Sequence, residues 1–276
     1  MASARQLARY LAATARNPTV LSPRKQYLLI LSHMRSHTSL LSHILGSHPD
    51  ITGHSEMHQG YSNSLDLLKL RCKVSIDNAN TLRGRFVLDK VLNDYPLSPR
   101  ILAAPSTQAI FLLRKPDATL KSIIAMGRRY AGVDWHRDPR KVLAYYTARL
   151  SRLEELARTR AAAGASPAFF FDSELLLERT DLVLRELTRW LGLTGELSPH
   201  YRIFETTGRP GWGDPSDTIK AARVMKPDSC RDEVELEPGI LEEATPVFAR
   251  CRNTLLALCR GLRSEAPASP NRPNSA

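Results

Sequence analysis

The sequence has few cysteines, no long apolar run and no acid in its first 25 residues, and the first two shortages each remove a class of protein. The four cysteines of the 276-residue chain are Cys72, Cys230, Cys251 and Cys259. None forms a C-x-x-C pair and the chain is not cysteine-dense, so they read as reduced thiols in a cytoplasmic setting rather than as a disulfide framework. No apolar stretch approaches the roughly 18 residues that a membrane-spanning helix needs. Glycine is missing between Tyr27 and Leu45, where the first strand feeds a helix, and G-x-x-x-x-G-K-[ST] is absent, so there is no Walker A loop. No acid ends the run "AIFLLR" to hold magnesium as an ATPase would; that run ends in Arg114. A metal-dependent NTPase is therefore not expected.

What the chain does have is positive charge. Lys and Arg number 39 against 28 Asp and Glu, a net charge of +11. Such an excess favours anionic partners. The charges are spread along the chain without the basic and aromatic interleaving of an RNA module, so nucleic acid is not expected as a partner. The composition, 42% hydrophobic and 24% charged, is that of a globular chain. Residues 1–25 carry five basic residues. They read as a basic extension whose "ARQLARYLAATAR" forms an amphipathic helix lying on the domain, with peripheral contact to an anionic membrane or an organelle presequence as the other readings. Residues 26–263 form the main domain. Residues 264–276, rich in Pro, Ser and Asn, read as a disordered tail.

Four apolar runs without alternation read as buried strands: 27–32, 85–91, 109–114 and 167–172. Helices are expected from Thr38 to Leu45, from Pro116 toward Arg129, over 139–163, over 181–193 and over 237–262. Strands of this kind separated by helices imply an α/β fold with a parallel sheet covered on both faces. Ligands of such sheets bind beyond the carboxyl ends of the strands.

The stretch "SHMRSHTSLLSHILGSHPD" lies at such an end. A strand running straight into a helix leaves the helix's first N–H groups aimed at one spot, a natural phosphate or sulfate site. Here the loop adds a cation, Arg35, and hydroxyls at Ser36, Thr38 and Ser39. The histidines do not read as a metal site. His33 and His37 straddle strand end and loop, "HSEMH" is not H-E-x-x-H, and no cysteine joins them. They are expected mostly as polar surface or loop residues.

With these residues in view, the chain resembles the sulfotransferases that use 3′-phosphoadenosine 5′-phosphosulfate (PAPS). The loop is similar to the family's 5′-phosphosulfate loop, with Arg35 at the basic position and Ser36, Thr38 and Ser39 at the hydroxyl positions. "IFLLRKPDATLKSI" resembles the motif in which an arginine and a serine eight residues later grip the 3′-phosphate, here Arg114 and Ser122. "SELLLERTDLVLRELTRWLGL" resembles the third recurring segment. Two positions depart from the pattern. His37 replaces the loop glycine, so either the loop geometry differs or His37 itself contacts the sulfate. Ser173 replaces a tyrosine, so an adenine contact must come from elsewhere, with Trp212 and Phe171 as candidates.

The resemblance implies a P-loop-like nucleotide-binding architecture, PAPS as donor, no metal, and in-line transfer to a hydroxyl or amine on a small molecule, glycan or lipid. Arg35 would hold the leaving oxygens. The general base that many relatives supply as a histidine is absent from "DKVLND", which has Lys90; Glu56 is the choice, with His54, His58 and Asp94 in reserve. The turn-rich "TTGRPGWGDPSDTIKAARV" resembles a segment that closes over the 3′ end of the nucleotide, offering Arg209, Trp212, Ser216 and Lys220. The alternative is a sulfotransferase-like protein that binds a nucleotide or polyanion without catalysis, suggested by His37 and Ser173.

Overall fold

The computed structural model describes residues 4–130, 133–208, 217–225 and 234–262. Six strands form one sheet: β1 (Gln26–Leu31), β2 (Ile51–Thr52), β3 (Phe86–Val91), β4 (Thr107–Leu113), β5 (Phe169–Asp172) and β6 (Arg260–Leu262). Their order is β2-β3-β1-β4-β5-β6, and every pairing is parallel. Among the described residues the helices are α1 (Ala4–Arg16), α2 (Thr38–Ser47), α3 (Ser64–Asp77), α4 (Pro99–Leu102), α5 (Pro116–Arg129), α6 (Pro139–Ala162), α7 (Leu175–Glu178), α8 (Thr180–Leu191), α9 (Asp217–Lys220) and α10 (Pro238–Leu258).

The unbroken apolar strands follow from burial on both faces. Leu29 and Leu31 of β1, Ala109, Phe111 and Leu113 of β4 and Phe170 of β5 pack under α3, α5, α6 and α10. Leu28 and Ile30, Ile110 and Leu112, and Phe169 and Phe171 pack under α2 and α8. Successive side chains point to opposite faces, so both faces are mostly apolar; among the exceptions, Asp89 and Lys90 of β3 and Thr107 of β4 are buried. Local chemistry sets the helix ends. Pro116 opens α5, where its missing N–H costs nothing. Gly192 ends α8 at φ 58°. Asp138 caps α6 by accepting from the Arg140 and Lys141 amides.

Four strands are where the sequence places them, within two residues. Two more, β2 and β6, are too short to carry a pattern, and β6 occupies residues expected to end the final helix. Helix α3 was not expected either; its start is fixed by a capping box between Asn63 and Asp66. The amphipathic helix of the N-terminal extension forms and lies on α3, where Thr14 Oγ1 is 3.8 Å from Cys72 Sγ and Asn17 donates to the Asn80 carbonyl at 3.0 Å. The described cysteines, Cys72, Cys251 and Cys259, are free thiols. Among the described residues no helix is long and apolar enough to cross a membrane. The expected tail lies outside the described residues.

Candidate functional site

Three strand tips meet at the carboxyl edge. β1 lies between β3 and β4, so the loop from Ser32 to His37 emerges at the centre of the sheet, and Ser173, just past β5, is fixed there by its amide donating to the Leu113 carbonyl at 2.7 Å. Within the loop, Arg35 (φ 61°) and His37 (φ 60°) both take the left-handed conformation, with Ser36 between them. Left-handed residues interleaved in this way turn successive backbone N–H groups to one side, an anion-binding concavity, and α2 starts directly after it.

Histidine is a costly residue at the position of His37, because left-handed backbone crowds any Cβ. The loop nevertheless has the shape glycine would give. The imidazole has a partner: Nδ1 is 3.2 Å from Ser173 Oγ. The two departures from the family pattern thus meet each other.

The two expected cationic grips belong to one network. Arg35 Nε donates to Ser122 Oγ at 3.0 Å, and Arg114 Nη1 donates to the Arg35 carbonyl at 2.8 Å. Ser122 lies on α5, so loop, strand tip and helix are joined by these contacts. Arg114 is itself oriented by a histidine. Its backbone N–H donates to His33 Nε2 at 3.0 Å, which leaves Nδ1–H to donate to the Met34 carbonyl at 2.9 Å. This fixes the tautomer of a fully buried ring. Burial, together with Arg114 and Arg149, lowers the His33 pKa to about 3, so the ring is neutral.

Ser36 is fully buried, and its hydroxyl lies 2.6 Å from both Ser32 Oγ and the His33 carbonyl. That hydroxyl closes the loop from within, leaving the Ser36 N–H as the group to face an anion. Thr38 and Ser39 are the first residues of α2, whose opening amides have no acceptor within the helix.

On the other side of β1, Glu56 stands beyond β2. It is 9% exposed, accepts from Asn93 Nδ2 at 3.1 Å and lies 3.4 Å from His58 Nδ1. The backbone carrying it is pinned by Asp89 of β3, which accepts from the Met57 amide at 2.8 Å and from the Tyr61 hydroxyl. Burial raises the Asp89 pKa to about 6, against these hydrogen bonds and with the help of nearby Glu56. Lys90 follows it, 1% exposed, close enough to His54 and Asp77 to bias the protonation of both. Asp94 is 3.0 Å from Arg149 and its side chain is 60% exposed, an ion-paired surface acid.

The histidines are the main correction. Expected mostly as polar surface or loop residues, His33, His43, His48 and His54 are all buried, although His33, His48 and His54 do lie in loops. His43 joins the Ser39 carbonyl (2.7 Å) to Thr207 (2.9 Å), and His54 lies 2.8 Å from Thr206 Oγ1 while stacking on Phe204 at 3.8 Å between centroids. They are the anchors that hold residues 204–207 against α2 and β2. Arg149 was also unforeseen. It reads as one of many charges on a long helix, yet it is 1% exposed and donates to the Ser32 and Val91 carbonyls, clamping the tips of β1 and β3. Phe171, a candidate for adenine contact, is fully buried in the core and cannot stack on a ligand. Lys220 closes α9 and is exposed, its chain packed over Gly208. Trp212, Arg209 and Ser216 lie outside the described residues.

The architecture is shared with a known enzyme domain. The sulfotransferase domain from the curacin biosynthetic pathway superposes with a TM-score of 0.52 at 15% identity, covering 81% of this chain and 97% of that one. The chain has the sulfotransferase fold. A second solved structure, mouse sulfotransferase SULT7A1 complexed with PAP, aligns over 68% of this chain and 64% of that one at 14% identity and a TM-score of 0.42. No family model and no curated protein matches the sequence. The loop after β1, which the sequence resemblance points to, is where Arg35, Arg114 and Ser122 gather.

Proposed function

We propose that the chain is a sulfotransferase that moves a sulfuryl group from PAPS to a hydroxyl or amine acceptor by in-line displacement. One observation carries the reading: Arg35, Ser122 and Arg114 form a single hydrogen-bonded set beside an anion-binding loop at the centre of the sheet. The residues present suit the donor. Amides at the start of α2 and in the loop would hold its 5′-phosphosulfate; Arg114 and Ser122 would hold its 3′-phosphate; Lys220, exposed at the end of α9, belongs to the segment expected to cover that end. Trp212 keeps its expected role against adenine.

The moving SO₃ unit carries less charge than a phosphoryl group, so fixed cations and N–H groups suffice to stabilise it, and no metal has a role in this reading. Arginine does not release a proton near neutral pH, so Arg35 would act on the leaving oxygens by charge and orientation. Glu56 would take the acceptor's proton. Its loop is held by Asp89, and the amide of Asn93 orients its carboxylate. The non-catalytic alternative loses part of its motivation, because His37 and Ser173 compensate each other within an otherwise ordinary loop.

Calorimetry with adenosine 3′,5′-bisphosphate tests the binding half. The expected result is saturable binding by wild type; no heat and no thermal shift refute the proposal. Labelled donor incubated with a cell extract tests the transfer half by revealing a sulfated product. Glu56→Gln is expected to lower turnover by about 10²–10⁴-fold with the bisphosphate affinity unchanged. Binding without transfer to any acceptor leaves the non-catalytic nucleotide-binding alternative standing instead.

A further inference from the structure

A cavity of about 440 Å³ opens beside Glu56, lined by Gln6, Arg9 and Tyr10 of α1, by Met57 and His58, and by Lys73, Ile76 and Asp77 of α3. Its size suits a small organic molecule. Much of the wall is carbon: Met57, Ile76, the Tyr10 ring and the stems of Arg9 and Lys73.

Its charges are not equally available. Lys73 Nζ donates to the Met57 carbonyl at 2.8 Å. Asp77 is half-buried, which raises its pKa. Glu56 is engaged by Asn93 and lies near His58. Arg9 makes no hydrogen bond or ion pair among the described residues. The helix that carries it has Arg5 and Arg16 on the same flank and no acid at all.

Helical geometry says what this flank serves. Tyr10, Ala13, Thr14 and Asn17 form the stripe facing α3. At 3.6 residues per turn, Arg5, Arg9 and Arg16 lie about 110° to one side of it, and Leu7 and Leu11 about 90° to the other. The leucines are 54% and 64% exposed. A surface under those leucines would have the arginines on its far side, whereas the cavity has Arg9 in its wall.

Building on the sulfotransferase reading, we infer that this cavity is the acceptor site and that its substrate is a small alcohol or phenol with an apolar body and an acidic group. The hydroxyl lies at Glu56, the body against Tyr10, Met57 and Ile76, and the anionic group at Arg9. α1 is then one wall of the site.

The probes are 3-(4-hydroxyphenyl)propionate and its methyl ester, titrated calorimetrically into the full chain with and without saturating adenosine 3′,5′-bisphosphate. Wild type is expected to bind the acid about fivefold more tightly than the ester, as one partly exposed ion pair supplies. Arg9→Ala should erase that preference and Arg9→Glu reverse it, while Tyr10→Ala weakens both probes. Equal binding of the two by wild type, a preference unchanged in Arg9→Ala, or binding of neither at millimolar concentration overturns the inference. The bisphosphate titration reports separately. If it binds and the probes are not discriminated, only the acceptor assignment fails; if it does not bind, the sulfotransferase reading fails and takes this one with it.

Discussion

The site is built on histidines that must stay neutral, and that makes its stability depend on pH in a calculable way. Burial, reinforced by nearby cationic groups, lowers the pKa of both His33 and His54 to about 3 from an ordinary 6.5. A histidine depressed in this way supports the fold fully above pH 6.5. Its contribution is lost as pH falls toward 3, because the unfolded chain takes up a proton that the folded chain refuses. Asp89 works in the opposite sense. With a pKa raised from 3.8 to about 6, it favours the fold most below pH 4 and loses that effect as pH rises through 6. At pH 5, unfolding therefore takes up nearly two protons at the histidines and releases nearly one at Asp89. From these three groups the net of about one proton is a slope of about 1.4 kcal/mol per pH unit, stability falling with acidity; His136, whose pKa burial lowers, adds to it, and Asp77, whose pKa burial raises, acts against it. The slope counts protons, so it does not depend on how far below pH 5 the folded values lie. His54→Gln keeps a polar partner for Thr206 and removes one titrating ring, so its stability should slope about 1.4 kcal/mol per pH unit less steeply than wild type around pH 5. Urea unfolding at half-unit steps from pH 4.5 to 7 reads this directly. The carboxylates with lowered pKa, Asp50, Asp66 and Glu154, cancel between the two proteins. Parallel profiles for wild type and His54→Gln would refute the assignment of a neutral buried His54.

Other perturbations probe the network around the loop. Arg114→Ala removes a charged grip and should weaken adenosine 3′,5′-bisphosphate binding by ~1.5–3 kcal/mol, roughly ten- to a hundredfold by calorimetry; an unchanged affinity sinks its role. Arg149→Met leaves the Ser32 and Val91 carbonyls without their buried donor and should cost about 2–4 kcal/mol in urea unfolding, although Arg149 touches no proposed ligand; a loss under 1 kcal/mol contradicts the clamp. His37→Gly relieves left-handed strain of about 1–2 kcal/mol but loses the bond to Ser173, so the stability change should stay within about 1 kcal/mol, whereas His37→Val should lose stability outright in the same assay.

Most of the sheet was legible because each central strand is buried on both faces and so reads as a plain apolar run. β1 to Arg35 and β4 to Arg114 follow from that alone, and the helix after each has a recognisable start. What stayed hidden lacks a local signature. β2 has two residues and β6 three, and each exists because a neighbouring strand offers an edge. The Asn63 capping box does announce α3, but the helix is weakly amphipathic and its sequence gives little periodicity to follow. The histidines misled for a different reason. Polarity predicts exposure only when no partner is waiting inside, and the partners of His43 and His54 are Thr207 and Thr206, more than 150 positions away. Arg149 is the same case: its acceptors are backbone carbonyls at two strand tips, which no composition or spacing reveals.

The His37–Ser173 pair shows how a departure from a pattern can conserve its physics. A glycine in the loop is valued for its backbone, and the backbone here is retained at φ 60°. The strain this places on histidine requires an offset, and the nearest source is a residue that the register of β4 and β5 brings to the same tip. Ser173 is held there by the Leu113 carbonyl, one residue before Arg114. Its small side chain leaves room for the imidazole, and its hydroxyl gives Nδ1 a partner. Because the two residues share one bond, His37→Gly combined with Ser173→Ala should cost no more stability than His37→Gly alone. Histidine at 37 and serine at 173 act together, and the backbone cradle for an anion stays in place.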